Sequence, residues 1–296
     1  MRGRLLNFRR ISVYVALLPM AITACAVYLG TTLWSLRVSF SSSRTFPTDN
    51  FVGFAQYARL FTDDRWLLSL TNLAIYGTLV IVVCLALGFW LAALIDAQAR
   101  GEGVLRSVFL YPYAMSFVAT GVVWQWLLNP SLGIQEAAHR LGFEQVQFDW
   151  IVDPDKVIYA VAIAAIWQSC GLVTVIMLAG LRGIDPEIWK AARVDGIPAW
   201  RVYVSIVRPM LAHSFATATI LLLTAVVKLY DVVVAMTQGG PGTASEVPAK
   251  YIMDHLFGRA NIALASAGSI VLLLTVGILL APALYLRRYA TRLAAR

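Results

Sequence analysis

Six apolar segments, each long enough to cross a lipid bilayer, constrain the fold of this chain more than any other feature. A membrane-spanning helix needs about 20 predominantly apolar residues. Only 14% of the residues are charged, whereas soluble domains have about 25%. The sequence therefore predicts an all-α integral membrane protein with one transmembrane domain over residues 1–296. Its spans are expected near 11–36, 70–95, 107–128, 157–181, 212–236 and 263–286.

Lys and Arg are distributed unevenly between the two sides of these predicted spans. One side, with both termini and two loops, has 15 of them, including Arg100 and Arg296, while the opposite side has 8. Because Lys and Arg accumulate in cytoplasmic loops, we expect both termini to be cytoplasmic. The net charge of +8 is then a signal of topology, and we do not interpret it as nucleic-acid binding.

The segment at about 182–211, between the fourth and fifth predicted spans, is typical of two short helices; we call it the knob loop. Asp185 is a good N-cap, and Pro186 suits the first helical position, where no backbone donor is needed. Gly196 can adopt the left-handed conformation that ends a helix, and Pro198 can start a second one. A membrane loop that folds into a compact helical knob is suited to docking a soluble partner.

The knob loop resembles the EAA loop of binding-protein-dependent ABC importers, in particular the maltose-F- and glycerol-phosphate-A-like permease subunits of carbohydrate importers. The family pattern is Glu-Ala-Ala, three residues, Gly, about nine residues, then an aliphatic residue, Leu and Pro. It is matched by Ala191-Ala192, Asp195-Gly196, Ile206 and Pro209. Two positions differ, since Lys190 stands where the family usually has Glu and Arg208 where it usually has Leu.

This resemblance implies a type I importer fold, with six transmembrane helices and a cytoplasmic two-helix coupling loop. It also implies that the knob loop contacts an ATPase, with Ala191 and Ala192 facing that partner. The implied ATPase-coupling residues are Glu187, Lys190, Ala191, Ala192, Asp195 and Gly196.

The resemblance further implies a permease subunit of a bacterial inner membrane that catalyses no reaction and binds no cofactor. A second permease subunit would pair with it, and two ATPase subunits would hold ATP and Mg²⁺ in the cytoplasm. A periplasmic binding protein would deliver a sugar or sugar derivative. The size and charge of that sugar stay open, as does the question of which permease holds the substrate site.

The fifth predicted span is chemically unusual because it contains Lys228 and Asp231. Charges at membrane depth are costly and face the bundle interior or a water-filled path. On a continuous helix a spacing of three places both on one face. We predict that Lys228, Tyr230 and Asp231 line a substrate pathway, together with Gln125 and Gln168 from the third and fourth spans. The alternative is that the two charges serve only as structural glue, by neutralising each other or by pairing with a neighbouring helix.

Gly239, Gly240 and Pro241 follow the fifth predicted span. Two glycines and a proline end a helix and favour a tight turn. The loop is similar to one that follows the fifth span in maltose-F-like permeases, where it would lie at the outer face.

An ion-gradient secondary transporter for a polar solute is the alternative function. Such carriers often have inverted repeats, broken helices and intramembrane acids. Here Asp231 is the only acid well inside a predicted span, and the sequence shows no evident repeat.

Overall fold

A computed structural model describes residues 2–97, 102–145 and 147–294, so Arg100 and Arg296 lie outside it. The described residues form helices and loops, with no strand among them beyond an isolated bridge between Ser41 and Phe51. The first helices are α1 (Arg2–Ser39), α2 (Ala55–Phe61), α3 (Asp64–Ala97), α4 (Glu102–Ala114), α5 (Phe117–Leu127), α6 (Ile134–Arg140) and α7 (Val157–Arg182).

The later helices include two π-helical turns, Val202–Val207 and Asp254–Gly258. The first of these turns lies just before Pro209, whose nitrogen carries no hydrogen for a regular helical bond. The remaining elements are α8 (Pro186–Val194), α9 (Ala199–Arg201), α10 (Arg208–Met210), α11 (Ala212–Val227), α12 (Asp231–Met236), α13 (Pro248–Met253) and α14 (Ile262–Ala294).

Four helices in the described part of the chain are long and apolar enough to cross a membrane. The number rises to six if each of two bent helix pairs forms one span. The straight spans lie in α1, α3, α7 and α14. The bent pairs are Gly103–Ala114 with Phe117–Leu127, at 98°, and Ala199–Met210 with Ala212–Val227, at 72°. The prediction of an all-α membrane protein is confirmed. The predicted spans over 107–128 and 212–236 are each interrupted, at residues 115–116 and 228–230.

Local chemistry accounts for the interruption of the third span. Pro112 removes a backbone donor near the end of α4. Four residues later the Ser116 hydroxyl accepts a hydrogen bond from the Ala119 amide at 3.1 Å and thereby caps α5. The fifth span is also interrupted, since α11 ends at Val227 and α12 begins at Asp231.

The chain forms two compact units. The first begins in α1, ends at Thr62 and takes up Ile252–Leu273. In this unit the rings of Phe40, Phe54 and Tyr57 pack together at centroid distances of 5.3 to 5.9 Å. Backbone hydrogen bonds hold the segment after α1, including one of 2.8 Å from the Val52 amide to the Phe40 carbonyl.

The second unit runs from Asp63 to Tyr251 and takes up the chain from Leu274 onward. Glycines let its helices approach closely. An added Cβ on Gly88 of α3 would lie 2.6 Å from Val173 of α7, and one on Gly171 of α7 would lie 1.8 Å from the Phe109 carbonyl oxygen of α4. Small residues at such contacts are typical of membrane helix packing, where close backbone approach replaces the hydrophobic effect.

A buried polar clamp ties the start of α3 to the segment before α13. The Arg65 guanidinium donates to both carboxylate oxygens of Glu246, at 2.8 and 2.5 Å, and the Glu246 side chain is 1% exposed. The Asn72 amide donates to the carbonyl oxygens of Ala244 and Glu246 at 2.8 and 2.9 Å. The Tyr251 hydroxyl donates to Asp63 at 2.7 Å. These bonds fix the segment that follows the fifth span.

We expect Glu246→Gln to lower the free energy of unfolding by about 3 kcal/mol, because it leaves the Arg65 charge without its buried carboxylate. The control is Glu136→Gln, which breaks the exposed Arg140–Glu136 pair of 2.9 Å; its expected cost is below about 0.5 kcal/mol. Thermal unfolding of the purified chain in detergent measures both. Equal shifts in Tm for the two variants would contradict a special role for the clamp.

Candidate functional site

A cavity of about 330 Å³ lies in the second unit, between the two interrupted spans. Tyr113 and Phe117 reach it from either side of the break between α4 and α5. Residues 228–231 reach it from the break between α11 and α12. Its polar lining consists of Tyr76, Tyr113, Ser169, Thr224, Lys228, Tyr230 and Asp231, set among Leu, Val and Ala side chains.

The structure places Lys228, Tyr230 and Asp231 together in the lining of this cavity. The expectation that Lys228 and Asp231 share a helix face is wrong, because residues 228–230 form a turn and Asp231 begins α12. Among the residues that the structure describes, the two charges form no ion pair with each other. Both side chains are exposed at the cavity, so they are accessible to a solute.

Gln168 is not part of the wall of this cavity. It is 1% exposed, and its side-chain nitrogen donates to the Met115 carbonyl oxygen at 2.9 Å. The neighbouring Ser169 lines the cavity instead. Consecutive residues of α7 point in different directions by about 100°, and the packing of α7 on α4 turns Gln168 towards the helix break.

Gln125 also lies away from this cavity. It lies in a separate groove with Asn129, Thr237, Gly240 and Pro241, and its side chain is exposed. The break at Ser116 turns α5 away from the direction of α4, so residues of α5 beyond the first turn do not continue along the cavity.

The first helix of the knob loop has the ends that the sequence predicts. The Asp185 carboxylate accepts from the Glu187 amide at 2.9 Å. Gly196 has a φ of +64°, which confirms the expected left-handed residue. The Gly196 amide bonds to the Arg193 carbonyl at 3.1 Å and the Ile197 amide to the Ala192 carbonyl at 3.0 Å. Together these bonds form a Schellman motif, which satisfies the last carbonyls of α8.

Aromatic contacts attach the knob loop to the helical bundle. The Trp189 ring meets Tyr203 at 5.4 Å, and Tyr203 meets Phe89 of α3 at 6.4 Å. Ala192 is 5% exposed on this inner face, so the expectation that it faces a partner is wrong. Ala191 is exposed and is therefore the alanine of the pair that a partner can reach.

The outer surface of the knob loop is partly charged and partly apolar. The Lys190 ammonium donates to Glu187 at 2.9 Å, with both side chains largely exposed, and Asp195 is exposed at the end of α8. Val194 and Trp200 are 87% and 64% exposed. The sequence analysis did not predict a role for Val194 and Trp200. The available signal was an apolar residue on each side of the turn at residues 196–198. Exposed apolar residues beside charges are typical of a docking surface.

The Gly-Gly-Pro segment forms the predicted tight turn. Gly239 and Gly242 have φ values of +89° and +59°, and the Ser245 amide bonds back to the Gly239 carbonyl at 3.1 Å. The Ser245 hydroxyl donates to the Gly240 carbonyl at 2.7 Å. A Cβ on Gly239 would lie 2.7 Å from the Lys250 side chain. The turn therefore brings residues 237–247 back to the clamp at α3.

Several polar residues of the cavity were not predicted as site residues, among them Tyr113, Ser169 and Thr224. Their one distinguishing feature in the sequence is a hydroxyl group in an apolar segment. Such residues are too common to predict whether the side chain lines a cavity or packs in the core. In the described part of the chain no group of three or more His, Cys, Asp or Glu is placed to hold a metal ion. The arrangement can bind a polar solute by hydroxyl, ammonium and carboxylate groups, and it contains no evident nucleophile–base pair.

Comparison with known proteins supports this interpretation. Residues 84–290 match the family described as binding-protein-dependent transport system inner membrane component. A probable ABC transporter permease protein of Pyrococcus horikoshii is 34% identical, over 86% of this chain and 87% of its own length. The xylose/arabinose import permease protein XacH of Haloferax volcanii is 29% identical, over 90% of this chain and 85% of its own length.

The fold also matches a solved structure. One chain of a bacterial ABC transporter involved in the import of the acidic polysaccharide alginate superposes with a TM-score of 0.82, covering 98% of this chain and 99% of that one. The sequence identity is 19%, so this match concerns the fold. The predicted type I importer permease fold is confirmed.

The cavity geometry leads to a prediction that requires no solute. In a chain carrying Cys25→Ala, which removes the exposed native cysteine, we expect Lys228→Cys and Asp231→Cys to react with a polar maleimide. The control is Val233→Cys on α12, which should not react because Val233 is 0% exposed. Mass spectrometry after a timed reaction measures the modified fraction. Equal protection of all three thiols would show that the cavity is closed to water.

Proposed function

This chain belongs to the family of binding-protein-dependent transport system inner membrane components, and we propose that it is the permease subunit of an ABC importer for a sugar or sugar derivative. The single observation that carries the proposal is the cavity between two interrupted spans, with Lys228 and Asp231 exposed in it. Polar groups at membrane depth are retained where they line a path for solutes or ions. The volume of the cavity, about 330 Å³, lies at the lower end of the 300–1,000 Å³ range that is typical of small-molecule sites.

The chemistry of the lining suits a saccharide. Tyr76 and Tyr113 provide aromatic surface and hydroxyl groups, and Ser169 and Thr224 add hydroxyl groups. Lys228 can donate to a hydroxyl or a carboxylate of the solute, while Asp231 can only accept when ionised. A carbohydrate has many donors for Asp231 and many acceptors for Lys228, so both charges find partners in a loaded cavity.

We propose that the knob loop couples the permease to an ATPase subunit. Ala191, Val194 and Trp200 form its exposed apolar surface, and Glu187, Lys190 and Asp195 its charged surface. Gly196 supports the surface by ending α8 at that point. The contacts from Trp189 to Tyr203 and on to Phe89 give the knob loop a packed connection to α3, by which a movement of the ATPase can reach the bundle.

The same proposal assigns the other partners. A second permease subunit and the lipid would cover residues 16–39 of α1, whose most apolar stretch has no buried residue within this chain. Two ATPase subunits would hold ATP and Mg²⁺, and this chain would bind no cofactor. A periplasmic binding protein would approach the side that carries the Gly-Gly-Pro turn, opposite the cytoplasmic termini and knob loop inferred from the Lys and Arg distribution.

Transport would follow from a shift between inward-open and outward-open populations. A ligand moves such an equilibrium only by its differential affinity for the two states. In this proposal the ATP-bound ATPase binds one of the two states more tightly at the knob loop. The loaded binding protein does the same at the opposite face. An ion-gradient carrier is not favoured, because the chain belongs to a family of ABC transporter permeases.

The role of the two charges can be tested in uptake. We expect the double variant Lys228→Met with Asp231→Leu to lower solute uptake about 10- to 100-fold, the usual effect of removing hydrogen bonds to charged groups. The complex would be assembled from this chain and the products of its neighbouring reading frames. The solute would be the saccharide that the co-expressed binding protein retains in a thermal-shift screen of neutral and acidic sugars.

Assembly is checked in the same preparation by co-purification of the partner subunits. A pair that served only as structural glue would be replaceable by apolar residues at little cost. Wild-type uptake by the double variant would therefore remove Lys228 and Asp231 from the substrate pathway.

Gly196 allows a test of coupling. We expect Gly196→Val to reduce the stimulation of ATP hydrolysis by the loaded binding protein to near its basal rate, because a β-branched residue resists a φ of +64°. The control is Gly196→Asn, which tolerates this conformation; no atom lies within 4 Å of an added Cβ, so neither variant meets a steric clash. Full stimulation in the Val variant would contradict the coupling role, as would an equal loss in both variants.

A further inference from the structure

The break between α4 and α5 leaves backbone groups without helical partners within a predicted membrane span. The last carbonyls of any α-helix have no partner within the helix, and α4 ends at Ala114 with a 98° bend to α5. In the hydrocarbon core such a group is strongly unfavourable unless the protein or a water-filled cavity satisfies it. The geometry of this break therefore depends on whatever bonds to it.

Gln168 provides that bond from α7. Its side chain is 1% exposed, and its nitrogen donates to the Met115 carbonyl oxygen at 2.9 Å, directly at the break. The orientation of the amide is unambiguous, because a carbonyl accepts and only the NH₂ group of Gln168 can donate. Among the residues that the structure describes, the side-chain oxygen of Gln168 has no hydrogen-bond partner, so the Met115 carbonyl is the amide's one hydrogen-bond partner there.

A second contact on the same face of α7 fixes the helix before the break. Gly171, three residues after Gln168, lies so close to α4 that an added Cβ would be 1.8 Å from the Phe109 carbonyl oxygen. Thus α7 touches the backbone of α4 at Phe109 and bonds to the backbone at Met115. On the far side of the break, α5 packs closely on α12, where a Cβ added to Gly121 would lie 2.7 Å from the Cβ of Ala235. The Gln168 bond therefore acts on the turn between two packed helices.

The cavity is affected because its walls flank the break. Tyr113 precedes Met115 and Phe117 follows it, and both line the cavity. A change in the bend at Met115 moves these two rings relative to each other. Gln168 itself does not line the cavity, and so it can act on a solute only through the position of the break.

We propose that Gln168 is a positioning residue: its bond to the Met115 carbonyl holds the bend of the third span and thereby sets the shape of the cavity between Tyr113 and Phe117. The effect on the bend is a property of this chain alone. The effect on solute affinity rests on the proposed transport function.

Distances between spin labels test the effect on the bend. Val108 of α4 and Val123 of α5 are 60% and 41% exposed, so cysteines at both positions can be labelled in the full chain, in lipid nanodiscs and with Cys25→Ala. We expect Gln168→Met, which keeps the size of the side chain and removes the donor, to broaden the distance distribution relative to the wild type. Gln168→Glu, which replaces the donor by a carboxylate, should do the same.

The matched control is Thr174→Val on the same helix. Thr174 is also 1% exposed, and its hydroxyl donates at 2.9 Å to the Cys170 carbonyl within α7, so the substitution removes a buried hydrogen bond that does not reach the break. Its distance distribution should match the wild type. If Gln168→Met and the wild type give superimposable distributions, or if Thr174→Val broadens them equally, the proposal is overturned. Should Gln168→Met aggregate, Gln168→Asn, whose amide is shorter by one methylene, is judged by the same criteria.

Uptake kinetics test the effect on the cavity. We expect Gln168→Met to raise the KM for the transported solute about tenfold, because Tyr113 and Phe117 lose their fixed positions at the cavity, while Thr174→Val leaves KM unchanged. A residue that only supported folding would lower the maximal rate through a loss of assembled protein and leave KM as it is, and that result would overturn the second half of the proposal. The label distances need no solute, so a failure of all transport counts against the proposed function and leaves the result on the bend intact.

Discussion

Backbone amides and carbonyls find no water in the hydrocarbon core of a membrane, and this constraint decides where the chain can depart from a helix. Two departures from helical structure lie beside the same cavity, at residues 115–116 and 228–230. At the first, Ser116 caps the new helix and Gln168 bonds to the free carbonyl of Met115. At the second, the charged residues Lys228 and Asp231 follow the end of α11. Irregular backbone and polar side chains thus occur together, where a solute path would need them.

Close helix packing makes this arrangement possible. Gly88, Gly121 and Gly171 each sit where an added Cβ would come within 3 Å of a neighbouring helix. In lipid, apolar side chains gain little from burial against each other, and small residues that allow close backbone approach stabilise the contact instead. The same closeness brings buried side chains such as Gln168 within hydrogen-bonding distance of a neighbouring backbone. The close packing of the helices therefore also allows buried polar groups to find hydrogen-bond partners.

Two elements that pack on α3 lie next to the fifth span in the sequence, one before it and one after it. The knob loop, with its Schellman motif at Gly196 and its aromatic contacts to α3, precedes the span. The Gly-Gly-Pro turn, which the Arg65–Glu246 clamp and Asn72 attach to α3, follows it. Both elements are packed on α3, so a force applied at either one acts on the helix that also contributes Tyr76 and Val80 to the cavity.

The sequence by itself determined the class of the protein, the approximate spans, the caps of α8, the left-handed Gly196 and the tight turn at Gly239. Each of these depends on residues within one or two turns of chain, whose conformational preferences are local. The tertiary structure decided which polar residues meet. Arg65 and Glu246, 181 residues apart, form a buried pair, Gln168 turns to Met115 and away from the cavity, and Gln125 lies in a separate groove. It also placed Ala192 inward and Ala191 outward, and it interrupted the fifth span at Lys228. No local preference encodes these outcomes, because they depend on the rotation and distance at which whole helices pack against each other.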